Sequence, residues 1–208
     1  MQIRPKWLPV VVLVIAAGVG IALILRHQLL ADPILATGHL IEPRSRVADF
    51  SLIDHQGRPF TAANLAGHWS MLYFGYTNCP DVCPATLSIL AAMEKRLRAA
   101  RSATRPQVLF VTADPARDTP TQLAAYVPYF DPEFIGLTAR DQSTVEAFAG
   151  RLGVEVDLVH QPDGSYSVEH STAILVVDPE GRLAAVLTGP FTAAALQADF
   201  RSIAGARS

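Results

Sequence analysis

Two apolar runs separated by a helical stretch constrain this chain more than any other feature. Residues 69–76 and 108–111 are continuous apolar runs, the pattern of strands buried on both faces. Between them, residues 84–100 have helical spacing, with Leu87, Leu90, Ala91 and Leu97 on one face and Lys95, Arg96 and Arg98 elsewhere. Half of the chain is apolar and 17% is charged, so there is ample material for a core and no case for disorder.

The alternation continues on both sides. Residues 50–53 read as a strand entering the turn Asp54-His55-Gln56-Gly57. Thr119-Pro120 opens a helix as N-cap and first-turn proline. Residues 135–137 are strand-like, 143–152 helical, and 154–159 alternate up to the hairpin turn Asp163-Gly164. Residues 173–177 and 183–187 flank a second turn, Asp178-Pro179-Glu180-Gly181, and 192–203 close the chain as a helix. The expected class is α/β, a central mixed sheet with helices on both faces.

Residues 8–25 contain no charged side chain. As a helix, such a run spans roughly 27 Å, close to the hydrocarbon core of a bilayer. A cleaved signal sequence would have an apolar part of about 7–15 residues and a small-x-small site. Leu29-Leu30-Ala31-Asp32 lacks the first small residue. The length therefore favours a retained transmembrane helix. Arg4 and Lys6 favour a cytoplasmic amino terminus, and Arg26, Arg44 and Arg46 weaken that preference. The expected domains are an anchor (1–27), a linker (28–46) containing Pro33, Gly38 and Pro43, and a globular domain (47–208). Arg4, Lys6 and Arg26 precede residue 28, so the remainder holds 14 basic against all 19 acidic side chains, a charge of −5. That balance argues against nucleic acid as a partner.

The two cysteines lie in one segment after the first buried run, Tyr73-Phe74-Gly75-Tyr76-Thr77-Asn78-Cys79-Pro80-Asp81-Val82-Cys83-Pro84. Pro84 suits the first helical position, which places Cys83 near the N-cap, where free N–H groups and the helix dipole stabilise a thiolate. Cys79 falls on a tight turn made by Pro80 and Asp81. The flanking prolines and polar residues argue against two inert core thiols. The spacer has three residues, so the Cys-x-x-Cys redox motif is not met. Two thiolates so close can form a disulfide or share a soft metal, copper(I) or zinc, with further ligands from histidine or carboxylate.

Residues 75–84 resemble the SCO/SenC family of copper proteins that assist cytochrome c oxidase assembly. Val111-Thr112-Ala113-Asp114-Pro115-Ala116-Arg117-Asp118-Thr119-Pro120 resembles the family's acidic motif, Val168-Glu169-His170-Ser171 its histidine motif, and Asp178-Pro179-Glu180-Gly181 its late turn. The resemblance covers residues 47–203. It implies a thioredoxin-like fold with an extra β-hairpin, preceded by one transmembrane helix and facing outside the cytoplasm, hence the periplasmic side of the inner membrane. It implies copper, as Cu(I) and Cu(II), bound by metal ligands Cys79, Cys83 and His170. The implied activity is that of a metallochaperone rather than an enzyme, with no catalytic residue assigned. It would deliver copper to the binuclear CuA site in the copper-receiving subunit of cytochrome c oxidase, with other copper chaperones or thiol reductants as further partners.

Two thiolates and one imidazole suit both copper oxidation states and leave a position open for a partner's ligand. His27, His39, His55, His68 and His160 are expected to lie outside the site. Asp114 and Asp118 read first as turn and cap residues; a second reading makes them a carboxylate edge that orients the metal loop or docks a partner. Tyr73, Phe74 and Phe110 are expected in the core. Two other functions use the same cysteines. A thiol–disulfide reductase that keeps the oxidase's cysteines reduced would not need His170. A redox or copper sensor would need it. A peroxidase reading lacks an arginine placed near either cysteine.

Overall fold

The computed structural model describes Leu13, residues 15–21 and residues 33–205. Residues 15–21 are helical. Among the described residues no helix is long and apolar enough to cross a membrane; the expected anchor over residues 8–25 lies largely outside them. The second unit begins at Ile34.

Among the described residues that unit has ten short strands, eight in one sheet and two in a separate one. The strands are β1 (Gly38–Leu40), β2 (Ser51–Asp54), β3 (Pro59–Thr61), β4 (Ser70–Gly75), β5 (Gln107–Thr112), β6 (Ile135–Thr138), β7 (Val156–His160), β8 (Tyr166–His170), β9 (Ile174–Val177) and β10 (Leu183–Leu187). The helices are α1 (Val82–Ala99), α2 (Pro120–Phe130), α3 (Gln142–Arg151) and α4 (Ala193–Gly205). The sheet order is β1-β10-β9-β4-β5-β6-β2-β3, and β7 pairs with β8 alone. β4, β5 and β6 run parallel, joined by α1 and α2, while β9, β10 and β2 run antiparallel to their neighbours. The sheet is mixed, as the alternation predicts.

β4 shows why the fold has two cores. Every residue of it is buried, and its side chains alternate between faces. Met71 and Tyr73 join Phe110, Leu87, Leu90, Leu97, Leu123 and Phe200 beneath α1, α2 and α4. Leu72 and Phe74 join Leu109, Val111, Val145 and Phe148 beneath α3. Tyr73, Phe74 and Phe110 are fully buried, as expected. At about 1.5–3 kcal/mol for each large apolar side chain, this central strand is the main stabilising seam.

The segment expected to be a linker is not one from Ala36 onward. The Ala36 and Thr37 N–H groups donate to the carboxylate of Asp199 on α4, at 2.8 Å each. β1 then pairs with β10, Gly38 opposite Leu187, and Arg46 bridges Arg182. A three-residue strand is too short to show alternation, so its sequence looks like a loop. Gly38 was the available sign: a Cβ there would lie 2.1 Å from the carbonyl oxygen of Val186.

Candidate metal centre

β4 ends on Gly75, where the chain leaves the carboxyl edge of the parallel strands. The loop closes on itself when the Cys79 N–H donates to the Tyr76 carbonyl at 3.2 Å. α1 follows with Asp81 as N-cap and no side-chain cap bond. Cys83 is therefore inside the first turn rather than at the cap, and Pro84 is the third helical residue rather than the first. The proline is tolerated there because first-turn N–H groups have no intrahelical partner to lose. Gly75 is required by the site. A Cβ on it would stand 2.7 Å from the Phe110 ring and 3.1 Å from Cys83 Sγ.

This two-residue shift changes which thiol the helix end serves. Both cysteines are free and buried. Burial pulls the Cys79 thiol upward, but the backbone N–H groups of Asp81 and Cys83 outweigh it and hold Cys79 below its ordinary value. For Cys83 burial, together with the neighbouring Cys79, outweighs hydrogen bonds from the Tyr76 backbone and the Tyr73 hydroxyl and pushes it up to about 12. The helix N-terminus thus stabilises the thiolate of Cys79, not of Cys83 as the sequence suggested.

His170 ends β8, and its side chain meets Cys83. Its Nε2 lies 3.6 Å from Cys83 Sγ. Its Nδ1 is 2.9 Å from the Ser171 carbonyl oxygen. A carbonyl only accepts, so Nδ1 carries the proton and Nε2 presents a lone pair to Cys83. Burial lowers the imidazole's pKa, which keeps it neutral and able to bind metal. The rings of Tyr73 and Tyr76 meet it edge-on, at 6.3 and 5.9 Å.

The donor set fits a soft ion. At metal–sulfur and metal–nitrogen lengths of about 2.3 and 2.0 Å, two ligands of one ion stand roughly 3.5–3.8 Å apart. Cys83 and His170 already have that spacing. Cys79 is beside Cys83, whose thiol helps support its thiolate. Among the described residues no three donors yet stand in finished metal-holding geometry. The backbone bond at Nδ1 is the outer contact that fixes a ligating histidine's tautomer and ring plane. On its far side His170 lines a cleft of about 390 Å³ with Glu155, Asp157, Glu169, Ser171 and Gly153.

Asp118 does what the second reading of the acidic motif required. It is fully buried and accepts from the Thr77 N–H (2.9 Å), the Thr77 hydroxyl (2.6 Å) and the Thr112 hydroxyl (2.7 Å). Thr77 is two residues before Cys79, so this carboxylate pins the cysteine loop to β5. Thr119, not Asp118, caps α2, accepting from the Gln122 N–H. Of the other histidines, His55 accepts from the Gly136 N–H at 2.9 Å and belongs to the sheet. His39, His68 and His160 are exposed and apart from the cysteines; His27 lies outside the described residues. Gly75, Thr77, Tyr73 and Tyr76 were not singled out for the site from sequence. Only Gly75 carried a signal, a glycine closing an otherwise bulky strand.

A thioredoxin-like domain whose first parallel crossover opens on a thiol pair, with a neutral imidazole at ligand distance, defines a soft-metal and thiol-chemistry protein. The chain belongs to the SCO1/SenC family, whose model matches residues 39–205. It is similar to an SCO2-like protein of Rickettsia conorii, 32% identical over 187 residues, 88% of this chain and 90% of that one. It is also similar to the mitochondrial SCO2 homolog of mouse, 37% identical over 133 residues, 64% of this chain and 52% of that protein. The chain spans about half the length of the mitochondrial relatives it matches. Among solved structures, Arabidopsis thaliana ScoI with copper bound superposes with a TM-score of 0.72 at 31% identity, covering 77% of this chain and 99% of that one. Yeast Sco1 with copper bound gives 0.68 at 34% identity, covering 75% and 86%. These establish the thioredoxin-like fold.

Proposed function

We propose that this protein is a copper metallochaperone whose ligands are Cys79, Cys83 and His170. The observation that carries the reading is the 3.6 Å approach of His170 Nε2 to Cys83 Sγ, with Nδ1 committed to Ser171. Two thiolates favour copper(I) and the imidazole also suits copper(II), so one site serves both states. Three protein donors leave a position through which a recipient's ligand can enter before the chaperone's ligands leave. Relatives solved with copper bound support the choice of metal.

The family resemblance supplies the recipient, the copper-receiving subunit of cytochrome c oxidase and its binuclear site. It also supplies the setting, a single amino-terminal membrane helix over residues 8–25 with the domain on the periplasmic side of the inner membrane. The length of that uncharged run supports the anchor. Copper stoichiometry after anaerobic loading tests the site. One copper in the parent chain and its loss from a Cys79→Ala/Cys83→Ala variant is the expected result. Retention of stoichiometric copper by that variant rules the site out.

A second reading rests on the unequal thiols. Cys79 is held toward thiolate while Cys83 is held as thiol, the division of labour of an attacking and a resolving cysteine. A thiol reductase acting on the recipient's cysteines would keep its activity in His170→Ala; a copper chaperone would not.

A further inference from the structure

The hairpin that carries His170 is not part of the main sheet: β7 and β8 pair only with each other. Val156 and Val168 pack it against the α3 side of the domain. Among the described residues, the polar hold on the hairpin apart from His170 itself is made at Tyr166. Tyr166, the first residue of β8, donates its hydroxyl to Asp114 Oδ1 at 3.0 Å. The Arg117 guanidinium lies over the Tyr166 ring, 4.1 Å from its centroid, and its Nε pairs with Asp114. Asp114 is itself tied to the cysteine side of the domain, because its N–H donates to the Thr112 hydroxyl that donates to Asp118. A single stretch, residues 112–118, therefore grips the cysteine loop at Thr77 and the histidine hairpin at Tyr166.

We propose that Tyr166 and Arg117 are positioning residues for the metal site, clasping the hairpin to Asp114 so that His170 meets Cys83. Tyr166 and His170 are four residues apart on one strand, so they face the same way, about 13 Å apart. The clasp fixes one end of a short rigid lever and His170 occupies the other. Ring stacking and a charge-assisted hydrogen bond on the same carboxylate define both distance and direction. This inference rests on the reading of His170 as a ligand.

The test uses the full chain and Tyr166→Phe, which removes one hydroxyl and keeps the ring under Arg117. Arg117→Gln is a second, independent variant, and Tyr129→Phe, at an 86% exposed position, is the control. In the metal-free chain, amide exchange within β7 and β8 should rise about ten-fold in both clasp variants, with β4 and β5 unchanged. After copper(II) loading, the sulfur-to-copper absorption should persist while the imidazole nitrogen coupling in the paramagnetic spectrum weakens. Copper(I) affinity, read by competition with a chelator, should fall about ten-fold. Parent-like exchange and nitrogen coupling in both variants overturns the clasp and leaves the ligand reading standing. A nitrogen signal that survives in His170→Ala overturns the ligand reading instead, and the positioning role with it.

Discussion

Cys83 and His170 are 87 residues apart in sequence, yet Sγ and Nε2 stand 3.6 Å apart, with the histidine's other nitrogen bonded to the Ser171 carbonyl. That separation is the one expected of two ligands sharing a metal ion. Its consequence is direct. His170→Ala should retain copper(I) on the two thiols with affinity lowered more than about 100-fold, beyond the roughly 10–100-fold that loss of a ligand's outer hydrogen-bond partner causes. The nitrogen coupling to copper(II) should vanish. Chelator competition and paramagnetic resonance read the two effects separately.

The unequal thiols predict unequal chemistry. At neutral pH Cys79 is the more ionised, while Cys83 is fully buried and pushed up to about 12. Iodoacetamide should label Cys79 at least about ten-fold faster than Cys83, because the thiolate is the nucleophile. Peptide mass mapping at short times measures the ratio. Equal labelling would mean that the helix end does not discriminate between them.

The same protonation state bears on loading. A metal that binds both sulfurs must displace the proton held by Cys83. Loading the reduced protein at pH 7 should release about one proton per copper or more, and a Cys83→Ala variant should release fewer. Titration in weak buffer with a pH indicator provides the count. Affinity should therefore rise with pH through the neutral range.

Gly75→Ala tests how closely the site is packed. The added Cβ would lie 2.7 Å from the Phe110 ring and 3.1 Å from Cys83 Sγ. Overpacking of this kind costs about 1–3 kcal/mol. Urea unfolding should show that loss. Because the methyl presses on Cys83 itself, copper affinity should drop as well, which a substitution at Leu72, on the opposite face of β4, would not cause.

Asp178 contributes to the acid limb of stability. It is buried, and burial alone would raise its pKa. Donors from Arg182 and Arg44 outweigh that and hold it below its ordinary 3.8. A carboxylate depressed in the folded state contributes fully above about pH 3.8, and the contribution is lost as pH falls toward the folded value, since the unfolded chain takes the proton first. Asp178→Asn should cost about 1–3 kcal/mol at pH 7, because the buried Arg44 guanidinium loses one of its two carboxylate partners and keeps only Glu42, at 3.5 Å. The variant should also unfold less steeply with acid. Urea midpoints from pH 7 to pH 3 report both.

Much of the architecture was legible in local patterns. The apolar runs at β4 and β5 announced buried strands because strands covered on both faces need no polar side. The turns at Gly164 and Gly181 were legible because both adopt positive φ, 84° and 73°, where glycine carries no penalty. β1 and β3 were not foreseen, being three residues each and held by partners far along the chain. The proposed metal ligand His170 came from resemblance to a family rather than from spacing, since spacing alone does not separate it from His160. The acidic motif was ambiguous for a similar reason: Asp118 sits where a cap could sit, and only its burial against Thr77 and Thr112 separates the two roles.

The sequence by itself determined the class of fold and the chemical character of its reactive loop. Hydrophobic periodicity, turn residues and the two cysteines are short-range properties, expressed wherever the chain is read. Only the tertiary structure decided which thiol faces the helix N-terminus, which nitrogen of His170 is free, and what holds Tyr166 to Asp114. Each depends on a register of one residue or a separation of a few tenths of an ångström. Those differences come from packing between β4, β5, α1 and the β7–β8 hairpin, segments that sequence order keeps apart.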